Sequence, residues 1–488
     1  MVMATNEYSP DEYKNAGIIN NNPQPDTWVL MEPYPVATMV NGLPPEYQEA
    51  FELMLRTWCY KLRRNVLRYR YYDGKNKLKD FGISTPPQLL TVETVVGWAQ
   101  KAVDTLAVRS RFDGFAADNL ETQELLNDIS ERSRISIKYR QAVQGELIHS
   151  CAFATVRRTP DGHARIDIYD AEHATGIWDD AAGRVAYGLT IERIDNAGKA
   201  VEMRMLTPEY EITLSGTGTR WTWEAEPHGM GVTPMGAFAY KPTLRRPFGV
   251  SRINRSVMSL IDSAVRVALG GDISYQFAVS PQKYLLNADQ NPFETKTKWE
   301  AYIGNIFAVG NDENDRTPVF GQLTQASMQQ TTDYMRLLAA RFAAETNIPL
   351  AQLGISADSN PSSAEALYAA SEPLIIEAED LNDNARTTLK DLALMAIATE
   401  LDIPVADVPP EMRDFSASMK NPAMPSIVSQ ADAMIKVASV VPEFAGTDTF
   451  FEQLGFSEDI RRRIKSDIAK NQGETILSQI FGANNANI

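Results

Sequence analysis

Cysteine, histidine and recognisable catalytic motifs are what this 488-residue chain has least of. Cys59 and Cys151 are its two cysteines. That is too few for a disulfide framework and fits a reducing compartment, and each reads as a buried small hydrophobe rather than a nucleophile. The four histidines, His149, His163, His173 and His228, leave little material for general-base chemistry. His149 and Cys151 would share a face of an expected strand, but no third group orients them as base and nucleophile. Asp167, Asp170 and His173 match no standard metal-ligand spacing and read as a solvated sheet edge. The sequence has no Gly-x-x-x-x-Gly-Lys-Ser/Thr phosphate loop, no Gly-x-Ser-x-Gly elbow, no His-Glu-x-x-His and no paired-cysteine metal motif. No catalytic residue, metal or cofactor is therefore assigned. The N-terminus lacks a basic patch followed by an apolar core, and no run of about 18 apolar residues occurs. A soluble protein made or assembled inside a cell, with no membrane partner, is the expectation.

Positive charge is also short. Lys and Arg number 47 against 63 Asp and Glu, a formal net charge of −16. Such a chain repels nucleic acid on average, which argues against a basic DNA-gripping domain. The sign suits either plain solubility or a channel past which DNA slides. The main basic exception is the run Arg56, Lys61, Arg63, Arg64, Arg68, Arg70, Lys75, Lys77 and Lys79, interleaved with Trp58, Tyr60, Tyr69, Tyr71 and Tyr72. Its charges surround an expected helix, so pairing within or between subunits is favoured over DNA contact.

What is present is a chain that is 44% hydrophobic, enough to fill cores, in a mixed α+β arrangement that is mainly helical with a β-rich insert. Residues 1–45, rich in Asn and Pro, read as an extended arm. Helical patterning fills 46–150, with helices expected after Pro45 to Tyr72, around Val92–Leu106 and across Asn119–Ile148. From Cys151 to Tyr240 the period changes to two. Ala152–Arg158 and His163–Tyr169 flank Thr159-Pro-Asp-Gly162, a hairpin signal, and strands are expected at Val185–Glu192, Val201–Leu206, Tyr210–Ser215 and Thr219–Glu226.

Two rods follow. Val250, Ile253, Val257, Leu260, Ile261, Ala264, Val265 and Ala268 recur at three and four, predicting a helix from Gly249. A second helix through Met328, Met335, Leu338, Ala339, Phe342 and Ala343 stops before Pro349. At about 1.5 Å per residue they span roughly 40 Å and 33 Å. The expectation is that they cannot bury their apolar faces without copies of themselves. Between them, strands at Lys283–Asn287 and Ile306–Val309 and a helix over Phe293–Ile303 are expected. A loop, 348–362, then leads into a helix reaching about Leu401. From Asp358 to Ala385 there are seven acids and no Lys or Arg. Glu365, Glu372 and Glu379, seven apart, share a face, and Pro373 is expected to kink the helix. After Leu401 prolines break the chain, and helices are expected at Ile427–Val440 and Ser457–Lys470.

Pro247-Phe-Gly-Val-Ser-Arg-Ile-Asn254, Glu345-Thr-Asn-Ile-Pro-Leu-Ala-Gln-Leu-Gly354, Asn360-Pro-Ser-Ser-Ala-Glu-Ala-Leu367 and Tyr71-Tyr-Asp-Gly74, in that setting, resemble the portal proteins of tailed bacteriophages. The resemblance covers nearly the whole length and implies a ring, commonly of twelve subunits. It implies a wing over 46–246 (helical to 150, β-rich from 151), stem helices at 247–279 and 323–347, a clip at 280–322 and a tunnel loop at 348–362. A long kinked helix over 363–402 and a C-terminal wing or crown over 403–488 complete it. Portal proteins sit at one capsid vertex in the virion after assembly in the host cytoplasm. They pass double-stranded DNA inward during packaging and outward during ejection, dock terminase, and bind head-completion or adaptor proteins, capsid and scaffold. They are not enzymes. Mapped onto this chain, Gln352, Ser356, Asp358, Ser359, Asn360, Ser362 and Ser363 would meet DNA from the tunnel loop, by hydrogen bonds alone since the loop has no cation. Glu365, Glu372 and Glu379 would line the channel. The rival readings are another phage assembly protein without a channel, and a cytoplasmic enzyme using Asp179 or Asp180.

Overall fold

The computed structural model describes residues 40–76, 94–194, 200–217, 220–279, 283–286, 316–317, 319–322, 328–354, 364–423, 427–456, 460–461, 463–464 and 466–468. The chain divides into two compact units, Met1–Pro422 and Ala423–Ile488.

The first unit opens with α1 (Pro45–Tyr72), whose first position takes the proline that a helix interior would reject. α2 (Trp98–Ala107), β1 (Phe112–Ala117), α3 (Leu120–Ser133) and α4 (Ile135–His149) follow. The expected helix over Asn119–Ile148 is two helices, because Arg134 adopts a left-handed conformation (φ 52°) between them.

The period-two region folds as two antiparallel sheets. The first is ordered β3 (Ala164–Asp170), β2 (Cys151–Arg158), β9 (Met235–Ala239). The hairpin β2–β3 turns at Thr159–Gly162, where Gly162 has φ +87° and donates its N–H to the Thr159 carbonyl at 2.8 Å. The second sheet is ordered β4 (Ala174–Asp179), β5 (Arg184–Ile194), β6 (Ala200–Leu206), β7 (Tyr210–Thr217), β8 (Arg220–Pro227). Leu189, Met205 and Ile212 stand in register across it, as do Ile191, Met203 and Leu214. With Trp221 they form a buried face covered by Phe51, Met54, Leu55, Trp58, Leu62 and Val66 of α1. On the other face Arg204, only 5% exposed, bridges Glu192 at 2.7 Å and Glu211 at 2.9 Å. Alternation of side chains along each strand places the apolar groups and the ion pairs on opposite faces.

α5 (Arg255–Val279) and α6 (Gln329–Thr346) are the two rods, and β10 (Lys283–Leu286) pairs with β11 (Val319–Gln322) between them. α5 starts six residues later than the apolar spacing predicted, because Gly249–Asn254 forms a turn rather than a first helical turn. The strand expected at Ile306–Val309 and the helix expected at Phe293–Ile303 lie outside the described residues. α7 (Ala364–Leu401) runs unbroken through Pro373. After it, α8 (Pro410–Arg413) leads into β12 (Phe415–Met419), which pairs antiparallel with β1 and so ties residue 419 to residue 112.

The main core gathers α2, α4, β2, the root of α5, the end of α6 and the inner face of α7. Ile253, Val257, Leu260, Ile261, Ala264 and Val265 are buried in it, as are Leu338, Ala339 and Phe342. This corrects the expectation that the rods bury no apolar face within one chain: their roots do, against α2 and α7. Farther along, Tyr275, Tyr334 and Leu337 are exposed. The second unit contains α9 (Ile427–Val440) and α10 (Asp448–Gln453) joined through a 3-10 turn at Pro442–Gly446.

Candidate functional site

The candidate site begins where the rods end. At the close of α6, Asn347 takes a left-handed conformation (φ 54°) and Ile348 is buried. Pro349 redirects the chain into a 3-10 turn, Leu350–Leu353, closed by Gly354 at φ +77°. Gln352 lies on that turn, half-buried. Ser356, Asp358, Ser359, Asn360, Ser362 and Ser363 lie outside the described residues. The chain resumes as α7, where Glu365 stands in the first turn. Glu372 and Glu379 are exposed, as is Pro373, while Leu374, Ile375, Ala378 and Leu381 on the other side enter the core. Ile376 is 53% exposed on the acidic face, an apolar group that the acid spacing alone did not reveal.

One acid of this helix does not join that face. Glu377 is 6% exposed. Its Oε1 accepts from Arg252 at 2.8 Å, from Lys241 Nζ at 2.5 Å and from the Tyr240 hydroxyl, while Oε2 accepts from Asn347 Nδ2 at 3.3 Å. Burial opposes its charge, but Arg252 above all, with Lys241 and Tyr240, holds the carboxyl down at about 2. Arg252 is itself buried and uses every arm of its fork. Nε donates to the Ala102 carbonyl in α2 at 2.6 Å, one NH2 group to Tyr240 Oη and Glu377, the other to the Thr346 carbonyl at the end of α6. A cation at that carbonyl also meets the negative end of the helix dipole.

The turn before α5 makes this possible. Gly249 has φ +67°, and a Cβ there would lie 2.2 Å from the Tyr240 carbonyl oxygen, so the backbone approach requires glycine. Val250 N–H donates to that same carbonyl at 2.9 Å, and Arg252 N–H to the Leu147 carbonyl at 2.9 Å. Farther along, Asn254 Nδ2 donates to Glu345 Oε1 at 3.0 Å and Tyr71 Oη to Asp262 Oδ1 at 2.7 Å. Those polar links thus fasten the rods at residues 251–262, near their root.

α1 divides its basic run. Arg68 is buried and donates to the His149 carbonyl at 2.6 Å, next to Asn65 donating to the Ala171 carbonyl and Trp58 to the Glu172 carbonyl. Arg56 and Arg64 are exposed.

Two expectations about chemistry are corrected. His149 ends α4 and Cys151 begins β2, so they do not share a strand. Burial pushes His149 down to about 4 and the Cys151 thiol up to about 12, leaving both neutral and the thiol unreactive. Asp167 is not on a solvated edge. It is 7% exposed and lies 2.8 Å from Lys138, 2.8 Å from Arg157 and 2.9 Å from Arg165. Burial would raise its carboxyl, but Lys138 first, then the two arginines, hold it below its ordinary value. Asp170 accepts from His173 within its own turn. Among the described residues no group of three or more His, Cys, Asp or Glu side chains is placed to hold a metal ion, and no helix is long and apolar enough to cross a membrane.

Against known proteins, residues 58–403 match the family described as phage portal protein, SPP1 Gp6-like. The chain belongs to the phage portal protein family. Curated portal proteins of two mycobacteriophages are similar to it. That of Mycobacterium phage D29 is 24% identical over 83% of this chain and 85% of its own length, and that of Mycobacterium phage L5 is 26% identical over 75% and 77%. Similar solved structures include a chain from the "Virion of native gene transfer agent (GTA) particle" (TM-score 0.41, 10% identity, 78% of this chain and 89% of that chain). A chain from the "Neck of native GTA particle computed with C12 symmetry" gives TM-score 0.40 and 10% identity over 82% and 93%. Portal proteins are structural components of the phage head–tail connector; in this chain the Arg252–Glu377 cluster lies between the roots of the two rods, next to the 3-10 turn that follows α6.

Proposed function

We propose that this portal protein assembles as a closed ring, of twelve subunits, at one capsid vertex and forms the channel through which double-stranded DNA enters during packaging and leaves during ejection. The observation that carries the reading is the order of elements across the family match: rod, two antiparallel strands, rod, 3-10 turn, long helix, with both rod roots and the long helix joined at Arg252 and Glu377. A segment leaving directly from that bonded root is suited to project toward an axis. The tunnel-loop role of 348–362, with Gln352, Ser356, Asp358, Ser359, Asn360, Ser362 and Ser363 offering hydrogen bonds to passing phosphates, is part of this proposal. So are docking of terminase, of a head-completion or adaptor protein at the β10–β11 end, and of capsid and scaffold, with assembly in the host cytoplasm. No catalytic residue or cofactor is assigned.

In the channel reading Glu365, Glu372 and Glu379 line the passage, but Ile376 is exposed on the same face of α7. A large apolar group held in water on a charged face fits a protein contact better. Native mass measurement and negative-stain imaging of the purified full chain test the main reading. A ring with a central hole and a single subunit number is expected. Closed particles without a hole would favour a channel-free assembly protein, and a monomer or dimer at working concentration would overturn the ring.

A further inference from the structure

Two exposed helix faces in the first unit match each other in spacing and oppose each other in charge. On α1, Arg56, Tyr60 and Arg64 are all exposed, Tyr60 at 76%. On α7, Glu372, Ile376 and Asp380 are all exposed. Each set steps by four residues, so its members lie one above another on their helix, offset by about 40° per step and spanning about 12 Å. Each is a charge, an apolar group and a charge: two cations about a tyrosine, two carboxylates about an isoleucine. Leu53 and Leu67, also exposed, extend the first stripe at both ends. Among the described residues none of the four charges has an oppositely charged partner, although Asp383 nearby pairs with Arg386.

We infer that the Arg56–Tyr60–Arg64 face of one subunit docks on the Glu372–Ile376–Asp380 face of a second copy of this chain. The inference rests on the ring proposed above and names one of its contacts. Two different patches meeting head to tail make a heterologous interface, the kind that closes into a ring when the rotation fits. Tyr60 packs beside Ile376 while each arginine meets a carboxylate at matching height, and the flanking leucines leave water. The alternating pattern opposes a face meeting its own kind, since cation would then meet cation or acid meet acid. The acidic face of α7 is on this reading a subunit contact, not channel lining.

Charge exchange tests it with the full chain. Arg56→Glu/Arg64→Glu and Glu372→Lys/Asp380→Lys alter exposed positions, and circular dichroism confirms that each variant folds. Each variant alone is expected to lose assembled rings by about tenfold or more at low salt, since like charges then face each other. Mixing the two restores rings, because every junction in an alternating ring again pairs opposite signs, and a chain carrying all four changes restores them alone. If either double variant assembles like the unaltered chain, or if neither mixing nor the fourfold change rescues, the interface is wrong while the portal reading stands. If the unaltered chain itself forms no ring, both fall.

Discussion

Glu377 stands two residues from exposed Glu379 and has the opposite role, because its carboxylate is surrounded by Arg252, Lys241, Tyr240 and Asn347. Removing one partner from a buried ion pair leaves the other charge uncompensated, at a cost of about 3–5 kcal/mol. Glu377→Gln is therefore expected to lower the melting temperature at pH 7 markedly, measured by calorimetry or circular dichroism. The pH dependence follows from the sign. Glu377 has its folded pKa depressed to about 2 from an ordinary 4.5. Its contribution is thus fully present above 4.5 and is lost as pH falls through 2. The melting difference between the two proteins should hold from pH 7 to 5 and shrink below 4.5. A difference that grew on acidification would show that the carboxylate is not the stabilised form. This residue was not legible in the sequence: Arg252 and Glu377 are 125 positions apart, and each alone resembles a surface charge. What is legible locally is the glutamate heptad; a spacing of acids carries no information about exposed Ile376 between them, whose place on that face depends on what α7 packs against.

At the scale of elements, the rods and strands could be read because periodicity is a local property. Met328 to Ala343 and the hairpin at Thr159–Gly162 appear where spacing and turn chemistry put them. Elements that depend on distant partners could not be read: β1 exists because β12, some 300 residues later, completes its sheet, and neither has strong alternation. The start of α5 differs from the spacing because the apolar repeat begins at Val250, inside the turn that Gly249 opens, and so runs ahead of the helix. Gly249→Ala tests the turn. The strained backbone alone costs about 1–3 kcal/mol, and the added Cβ would press on the Tyr240 carbonyl. A lower melting temperature with reduced yield of assembled protein is the expected outcome; unchanged melting would show that the turn relaxes without penalty. Pro373 lies within the continuous helix α7, lacking one backbone donor. Pro373→Ala should preserve ring formation but reduce DNA packaging, compared by imaging and by nuclease-protected DNA per particle. Equal loss of both would deny Pro373 a separate role.

For the whole molecule, acidity is not uniform. One face of α1 is cationic and one face of α7 anionic, while Arg204, Asp167 and Glu377 are neutralised inside. The formal charge of −16 therefore described the average of the chain but not its contacts. In the proposed channel the loop has no cation, so DNA retention should depend weakly on ionic strength. Ser359→Lys adds one cation per subunit, and the slope of DNA retention against salt is expected to steepen. An unchanged slope would place residue 359 away from the duplex.

The links at Arg252, Asn254 and Asp262 are all near one end of the paired rods. A beam clamped at its foot moves little there and most at its free tip, and a sideways push on the tip returns to the foot as amplified torque. The joint at Glu377 is thus where such a push would weigh most, and Asn347, hydrogen-bonded to Glu377, is where the chain leaves α6.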